Sequence, residues 1–371
     1  MAKTFKSLLG DDKVNTRTLL HEAIPITGTI SSGTYSQGTS NVDNNIKTFS
    51  HGMFESVYDY PYLSSSANHI FDITYGVSSP GSPAIEGYAS ASTNTQNAKK
   101  VNIYNQMAQT LFGYTASGSI RHFDSDGTLD DAAGIMHQCF FLNFSRLLVK
   151  DEIKKNSFRL GLHTSGTVTH AANQRMALQT LGDYKAANEF RTSPAGDYGL
   201  IFLHDASGVT SNTGSVGLIF YQAGIVVLTS SIFRGQCGTV ENPFKSTGGH
   251  DGGTDHGTQV AQALTASTIQ DIAKAFRHQI YDIDFNNTIE LNSSIYFCRV
   301  NHNEYNYSSN PTFVDGSKLR VKNNVNDLPV TYITTVGLYS PDNELLAVAK
   351  LSEPIRKDPN TELTLRVRLD Y

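Results

Sequence analysis

Tryptophan is absent from this chain of 371 residues, although tyrosine and phenylalanine number 18 and 19. Sugar-binding platforms often use indole rings, so the absence lowers the odds of a glycan-binding or glycan-cleaving protein without excluding one. Cysteine is scarce: Cys139, Cys237 and Cys298 are widely spaced and odd in number. Nothing there suggests a disulfide framework, and buried thiols made in a reducing cytoplasm are the better reading. Charged residues make up 17% of the chain, against roughly 25% in a typical soluble domain. The polar surface must therefore come from Ser, Thr, Asn, Gln and Gly. That mix suits β-rich proteins and assembly subunits, whose interfaces are depleted of charge. It also suits extracellular carbohydrate-binding proteins.

Positive charge is not concentrated anywhere. The net charge is −5, and Lys99-Lys100 and Lys154-Lys155 are the kind of short basic run the chain holds. Direct nucleic-acid binding, which usually needs a basic patch or stripe, is not expected. Apolar runs are short too. Ile225-Val-Val-Leu228 is far from the length of a membrane span. Residues 1–10 lack the apolar core of a secretory signal. No Gly-x-Ser-x-Gly elbow, phosphate-binding Gly-x-x-x-x-Gly-Lys loop or Gly-x-Gly-x-x-Gly turn occurs.

What the chain does have is a carefully patterned last third. Residues 330–339 read as a strand, Ser340, Pro341, Asp342 and Asn343 supply turn chemistry, and 344–351 read as the returning strand. From Leu363 the sequence alternates to Tyr371. Leu363, Leu365, Val367, Leu369 and Tyr371 take one face; Thr364, Arg366, Arg368 and Asp370 take the other. A period of two is what a half-buried strand requires. Thr334-Thr-Val-Gly-Leu-Tyr339 followed by Asp342-Asn-Glu-Leu-Leu-Ala-Val-Ala349 resembles a hairpin phrase of tail-fibre, collar and baseplate proteins of tailed bacteriophages. With the closing strand, the resemblance covers roughly forty residues, as a pattern rather than a full-length alignment.

Elsewhere the chain mixes element types. Residues 26–50 and 78–98 are rich in Ser, Thr, Gly and Asn, and read as long loops or arms. Loops of this length tend to be functional or ordered by a partner. Val101, Tyr104, Met107, Ala108 and Leu111 recur at helical spacing within 98–112. The richly apolar stretch 131–150 reads as helical in part. A further helix is expected over 268–281, with Ser267 and Gln270 as a capping box and Ile269, Ile272, Phe276 and Ile280 as its buried stripe. Strands are expected at 157–163, 198–204, 217–222, 224–230 and 294–300. They follow one another without regular intervening helices, which argues against a doubly wound parallel sheet. The fold class is α+β, mainly antiparallel β with a few helices and long Ser/Thr/Gly-rich loops or arms. The organisation expected is an N-terminal arm and loop-rich region at 1–98, an α+β central domain at 99–290 and a C-terminal β region at 291–371.

Two clusters invite a chemical reading. Phe123-Asp124-Ser-Asp126-Gly127-Thr128-Leu129 resembles the first motif of haloacid-dehalogenase-like phosphatases, which implies Asp124 as nucleophile and Asp126 as general acid beside Mg²⁺. The context differs: Ser119-Ile-Arg-His is not a buried apolar strand, and no alternating α/β domain follows. Asp124, Asp126, Asp130 and Asp131 also crowd oxygen ligands as a Ca²⁺ loop would, but the bidentate Glu of an EF-hand is missing. The plainer reading makes Asp130 and Asp131 cap and dipole partners of a helix N-terminus. His250, Asp251, Asp255 and His256 could ligate a divalent metal with Cys237 or His204. They lie in a Gly-rich stretch that presets no ligand geometry. No cofactor is expected.

The function these features favour is that of a structural subunit of a tailed-phage virion, in the tail, baseplate or neck. It would be made in the host cytoplasm and would partner itself and other virion proteins. Leu365, Val367, Leu369 and Tyr371 are the expected subunit contacts, with Arg366 and Arg368 as polar rim; strand addition would supply the main-chain bonds. The alternatives are a receptor- or glycan-binding module using exposed tyrosines such as Tyr58, Tyr60 and Tyr62, and a metal-dependent hydrolase.

Overall fold

The computed structural model describes residues 5–21, 44–78, 95–128, 134–165, 176–204, 214–233, 264, 267–308 and 310–371. The chain forms two compact units. Met1–Leu19 and Glu290–Tyr371 make up the terminal unit; Leu20–Ile289 make up the large unit. In chain order the first elements are β1 (Lys13–His21), β2 (Ile46–Thr48), β3 (Glu55–Tyr58), β4 (His69–Val77) and helix α1 (Thr95–Leu111). Next come β5 (Gln138–Phe144), the short α2 (Arg146–Val149), β6 (Glu152–Ile153), β7 (Arg159–Ser165), β8 (Met176–Gly182) and β9 (Arg191–Ser193). They are followed by β10 (Gly196–His204), β11 (Gly217–Phe220), β12 (Ile225–Thr229), helix α3 (Ile269–Gln279), β13 (Ile280–Asp284) and β14 (Asn287–Val300). The last are β15 (Val314–Asp315), β16 (Lys318–Leu319), β17 (Thr331–Tyr339), β18 (Leu345–Lys357) and β19 (Leu363–Asp370). This is the mainly antiparallel α+β fold that the sequence implies.

The large unit is built on one eleven-stranded sheet in the order β13-β7-β8-β10-β11-β12-β5-β4-β3-β2, with β9 alongside β10. Every strand pair in it whose register is defined is antiparallel. Its middle strands are buried on both faces, and the period of two sorts their side chains into two cores. Phe140, Leu142, Val226, Leu228 and Ile219 join Ile272 and Phe276 of α3 in one core. Cys139, Phe141, Val227, Leu218 and Phe220 join Ile103, Tyr104 and Leu111 of α1 in the other. The helix backbone comes very close to the sheet at Gly76, where a Cβ would lie 2.9 Å from the Tyr104 amide nitrogen.

Double burial explains the main correction to the sequence reading. Among the described residues of the apolar stretch 131–150, 138–144 are strand β5 and only 146–149 are helical. An apolar run buried on both faces carries no alternation, so it reads equally well as a buried helix. Helix α1 begins at Thr95 and buries Val101, Tyr104, Ala108 and Leu111 as the spacing requires. In α3 the cap lies one residue beyond the expected Ser267–Gln270 box. The Thr268 hydroxyl accepts from the Asp271 amide at 3.1 Å. Ile269, Ile272 and Phe276 form its buried stripe, and Ile280 already belongs to β13. The expected loops at 26–50 and 78–98 fall largely outside the described residues.

Charged groups inside the large unit are tied down. Asp183 has no solvent exposure. It accepts from the amides of Asn156 (2.7 Å) and Phe158 (3.0 Å) and from the Tyr221 hydroxyl (2.9 Å). Burial nevertheless pushes its carboxyl above the usual range. Arg277 of α3 lies 3.5 Å from the Glu55 carboxylate of β3, both side chains almost fully buried. Among the described residues no helix is long and apolar enough to cross a membrane.

Candidate functional site

The terminal unit is a sheet with little core. β14 carries β1 on one edge and β19 on the other. The β14–β19 ladder pairs Ser294 with Leu369, Tyr296 with Val367, Cys298 with Leu365 and Val300 with Leu363. It continues to Tyr371, whose amide and carbonyl exchange hydrogen bonds with Asn292 at 2.9 and 3.0 Å. These residues form the apolar face. Ile295 opposite Arg368 and Phe297 opposite Arg366 form the other face, where arginine stems can lie over apolar neighbours.

A second ladder, β17 with β18, makes a long hairpin. Its root is anchored by Lys357, whose side chain is completely buried. The ammonium donates to the His302 carbonyl (3.1 Å), the Asn306 side-chain oxygen (2.7 Å) and the Asp358 carbonyl (2.8 Å). Thr331 adds a bond from its hydroxyl to the Tyr305 carbonyl. The root is therefore fixed to the 301–308 loop through saturated donors. Nearer the tip, the Phe5 ring meets Tyr339 with centroids 4.8 Å apart.

Burial separates this unit sharply from the large one. Among its described residues, the only buried hydrophobic side chains are Val300 and Val367, each 8% exposed. All nine residues of β1 are exposed. Both faces of the hairpin show apolar groups to solvent, including Tyr339, Leu345, Leu346 and Val348. A two-stranded hairpin is marginal in water without a covering layer.

The expected contact residues all fall here. Val367 is buried, Leu365 and Leu369 are half-buried, and Tyr371 is 73% exposed. Arg366 and Arg368 point to the solvated face as a rim would. Sequence reasoning placed no weight on β1 or on Leu345, Leu346 and Val348 as exposed groups; the signal available was the uncharged apolar run Leu345–Ala349 beside the turn.

The acidic cluster is a tight turn. Asp124 sits in an isolated antiparallel bridge with Ile135. Its Oδ1 accepts from the Asp126 amide at 2.9 Å, and Asp126 Oδ1 accepts from the Thr128 amide at 2.7 Å and from the Thr128 hydroxyl. These are side-chain-to-backbone turns. Burial and the hydrogen bond with Asp126 push the Asp124 carboxyl up to about 6. The Thr128 hydroxyl and amide hold Asp126 below its ordinary value. The turn does not follow a parallel strand, as the phosphatase motif would. Beside it, a cleft of about 230 Å³ is lined by Ser125, His137, Gln138, Ser215 and Ser230 among others. Burial, then the neighbouring His122, keep His137 below the usual histidine value, and its Nδ1 bonds the Ser78 hydroxyl at 2.8 Å.

Asp130, Asp131, Cys237, His250, Asp251, Asp255 and His256 lie outside the described residues. His204, their suggested helper, ends β10 with its ring 4.6 Å from that of Tyr184. Among the described residues no group of three or more His, Cys, Asp and Glu side chains could hold a metal ion. Tyr60 and Tyr62 are exposed beside Leu63, at the far end of β3.

The site and fold thus define a mainly antiparallel α+β protein with an under-covered terminal β unit. Comparison with protein-family models, with curated proteins and with solved structures finds no match.

Proposed function

We propose that this chain is a structural subunit of a tailed-phage virion, in the tail, baseplate or neck, and that it works by assembling with copies of itself and with other virion proteins. One observation carries the reading: the terminal unit buries only Val300 and Val367 as hydrophobic side chains among its described residues. A β unit of this size with so little core gains its stability from burial against neighbours. The resemblance of 334–349 to phage tail and baseplate hairpins falls on the same under-covered element. Catalysis has no part in this reading.

The test is the mass of the purified chain by light scattering over a range of concentrations, beside the exposed-site variant Leu345→Glu/Val348→Glu. A defined oligomer that the variant converts to monomer is expected. A monomer at every concentration overturns self-assembly. The exposed Tyr60, Tyr62 and Leu63 favour a second reading, a receptor- or glycan-binding virion module. Saturable glycan binding lost on Tyr60→Ala would favour it.

A further inference from the structure

The hairpin and the three-stranded part of the terminal unit carry matching chemistry. Between Thr334 and Ala349 the only charged residues are Asp342 and Glu344, both at the tip. The tip is preformed: the Ser340 amide donates to the Glu344 carbonyl at 2.9 Å and the Asn343 amide to the Ser340 carbonyl at 3.0 Å. Asn343 takes the left-handed backbone such a turn uses, with φ +65°. Residues 341–346 are all exposed, so two carboxylates stand beside the apolar Leu345 and Leu346. On β19 the solvated face offers the complement: Arg366 and Arg368, set opposite Phe297 and Ile295. Within the chain, neither Asp342 nor Glu344 forms an ion pair among the described residues, and neither does Arg366. Arg368 pairs with Asp370 at 2.7 Å and donates to the Ser293 hydroxyl at 3.1 Å; both side chains of the ion pair are more than half exposed, so that pair is weak.

We infer that the β17–β18 tip of one copy docks on the Arg366/Arg368 face of β19 in the next copy. This rests on the assembly reading above and specifies its joint. Carboxylates meet guanidinium groups, and Leu345 and Leu346 meet the apolar groups beneath the arginine stems. The contact is head-to-tail, because tip and receiving face are different surfaces of one chain. Such contacts close into a ring or grow into a filament. A second copy is favoured over an unrelated partner because the chain itself displays both halves of the match.

The test is a charge exchange between copies. The tip variant Asp342→Lys/Glu344→Lys and the face variant Arg366→Glu/Arg368→Glu are each measured alone, then mixed, by light scattering, with thermal melts to check folding. Like charges oppose self-association in either variant, and the apparent dissociation constant is expected to rise at least about tenfold. The mixture is expected to reassemble, since each tip then meets an opposite face. The chain carrying all four substitutions should assemble alone, which keeps the test decisive if one variant folds poorly. Variants that assemble as well as the wild type, or a mixture that fails to recover, overturn the docking and leave the assembly reading intact. A wild type that stays monomeric throughout overturns both.

Discussion

Lys100 is a cation with no exposure to solvent, held by α1 inside the large unit. Its ammonium donates to the carbonyls of Leu264 (2.8 Å) and Ser267 (2.7 Å), just ahead of α3, and lies 5.9 Å from the Tyr75 ring centroid. Burial lowers its pKa from 10.5 to about 7, with Asp271 pulling the other way. Below pH 7 the folded and unfolded states both hold the proton, and the cost of burying the charge is fully present. Between about 7 and 10.5 the folded state has shed the proton while the unfolded state keeps it. The unfolded state then binds more protons, so this residue makes stability rise with pH, by at most about 1.4 kcal/mol per pH unit. Urea unfolding across that window is expected to show the rise in the wild type and its loss in Lys100→Met. Parallel pH profiles for the two would contradict the assignment.

At the scale of elements, β19 is the strand on which the terminal unit depends. Ser293–Val300 pair with it along their whole length. A chain ending at Asn360 would leave that edge of β14 open. Because the two cores of the large unit are built from residues between 46 and 285, the shortened chain is expected to melt cooperatively through that unit but to lose assembly. Global unfolding on truncation would instead make Leu365, Val367 and Leu369 part of a shared core. β19 was legible in the sequence because it is buried on one face only: Val367 inside and Arg366 and Arg368 outside reproduce the alternation directly. β5 was not legible, because Phe140 and Phe141 face different cores and erase the alternation. β1 was not legible either, since all nine of its residues are exposed and nothing selects its pattern. The α3 cap moved by one residue because Ser267 and Thr268 are both competent hydroxyl caps. Leu365 and Tyr371 could be proposed as contacts from periodicity. Leu345 and Val348 could not, because an apolar hairpin strand reads as core until its burial is seen.

For the whole molecule, the contrast is between a large unit that satisfies itself and a terminal unit that does not. Large, doubly buried sheet strands and saturated polar groups such as Asp183 make the first self-sufficient. The second leaves many of its apolar side chains exposed, including Leu345, Leu346 and Val348 of the hairpin. The central claim is that neighbouring subunits complete the terminal unit, and amide hydrogen exchange on the full chain, dilute and concentrated, tests it most directly. The account predicts that amides of β1, β14, β17, β18 and β19 exchange quickly when dilute and become protected on assembly, while those of β5, β11 and β12 stay slow throughout. Equal protection of the terminal strands at every concentration would contradict it.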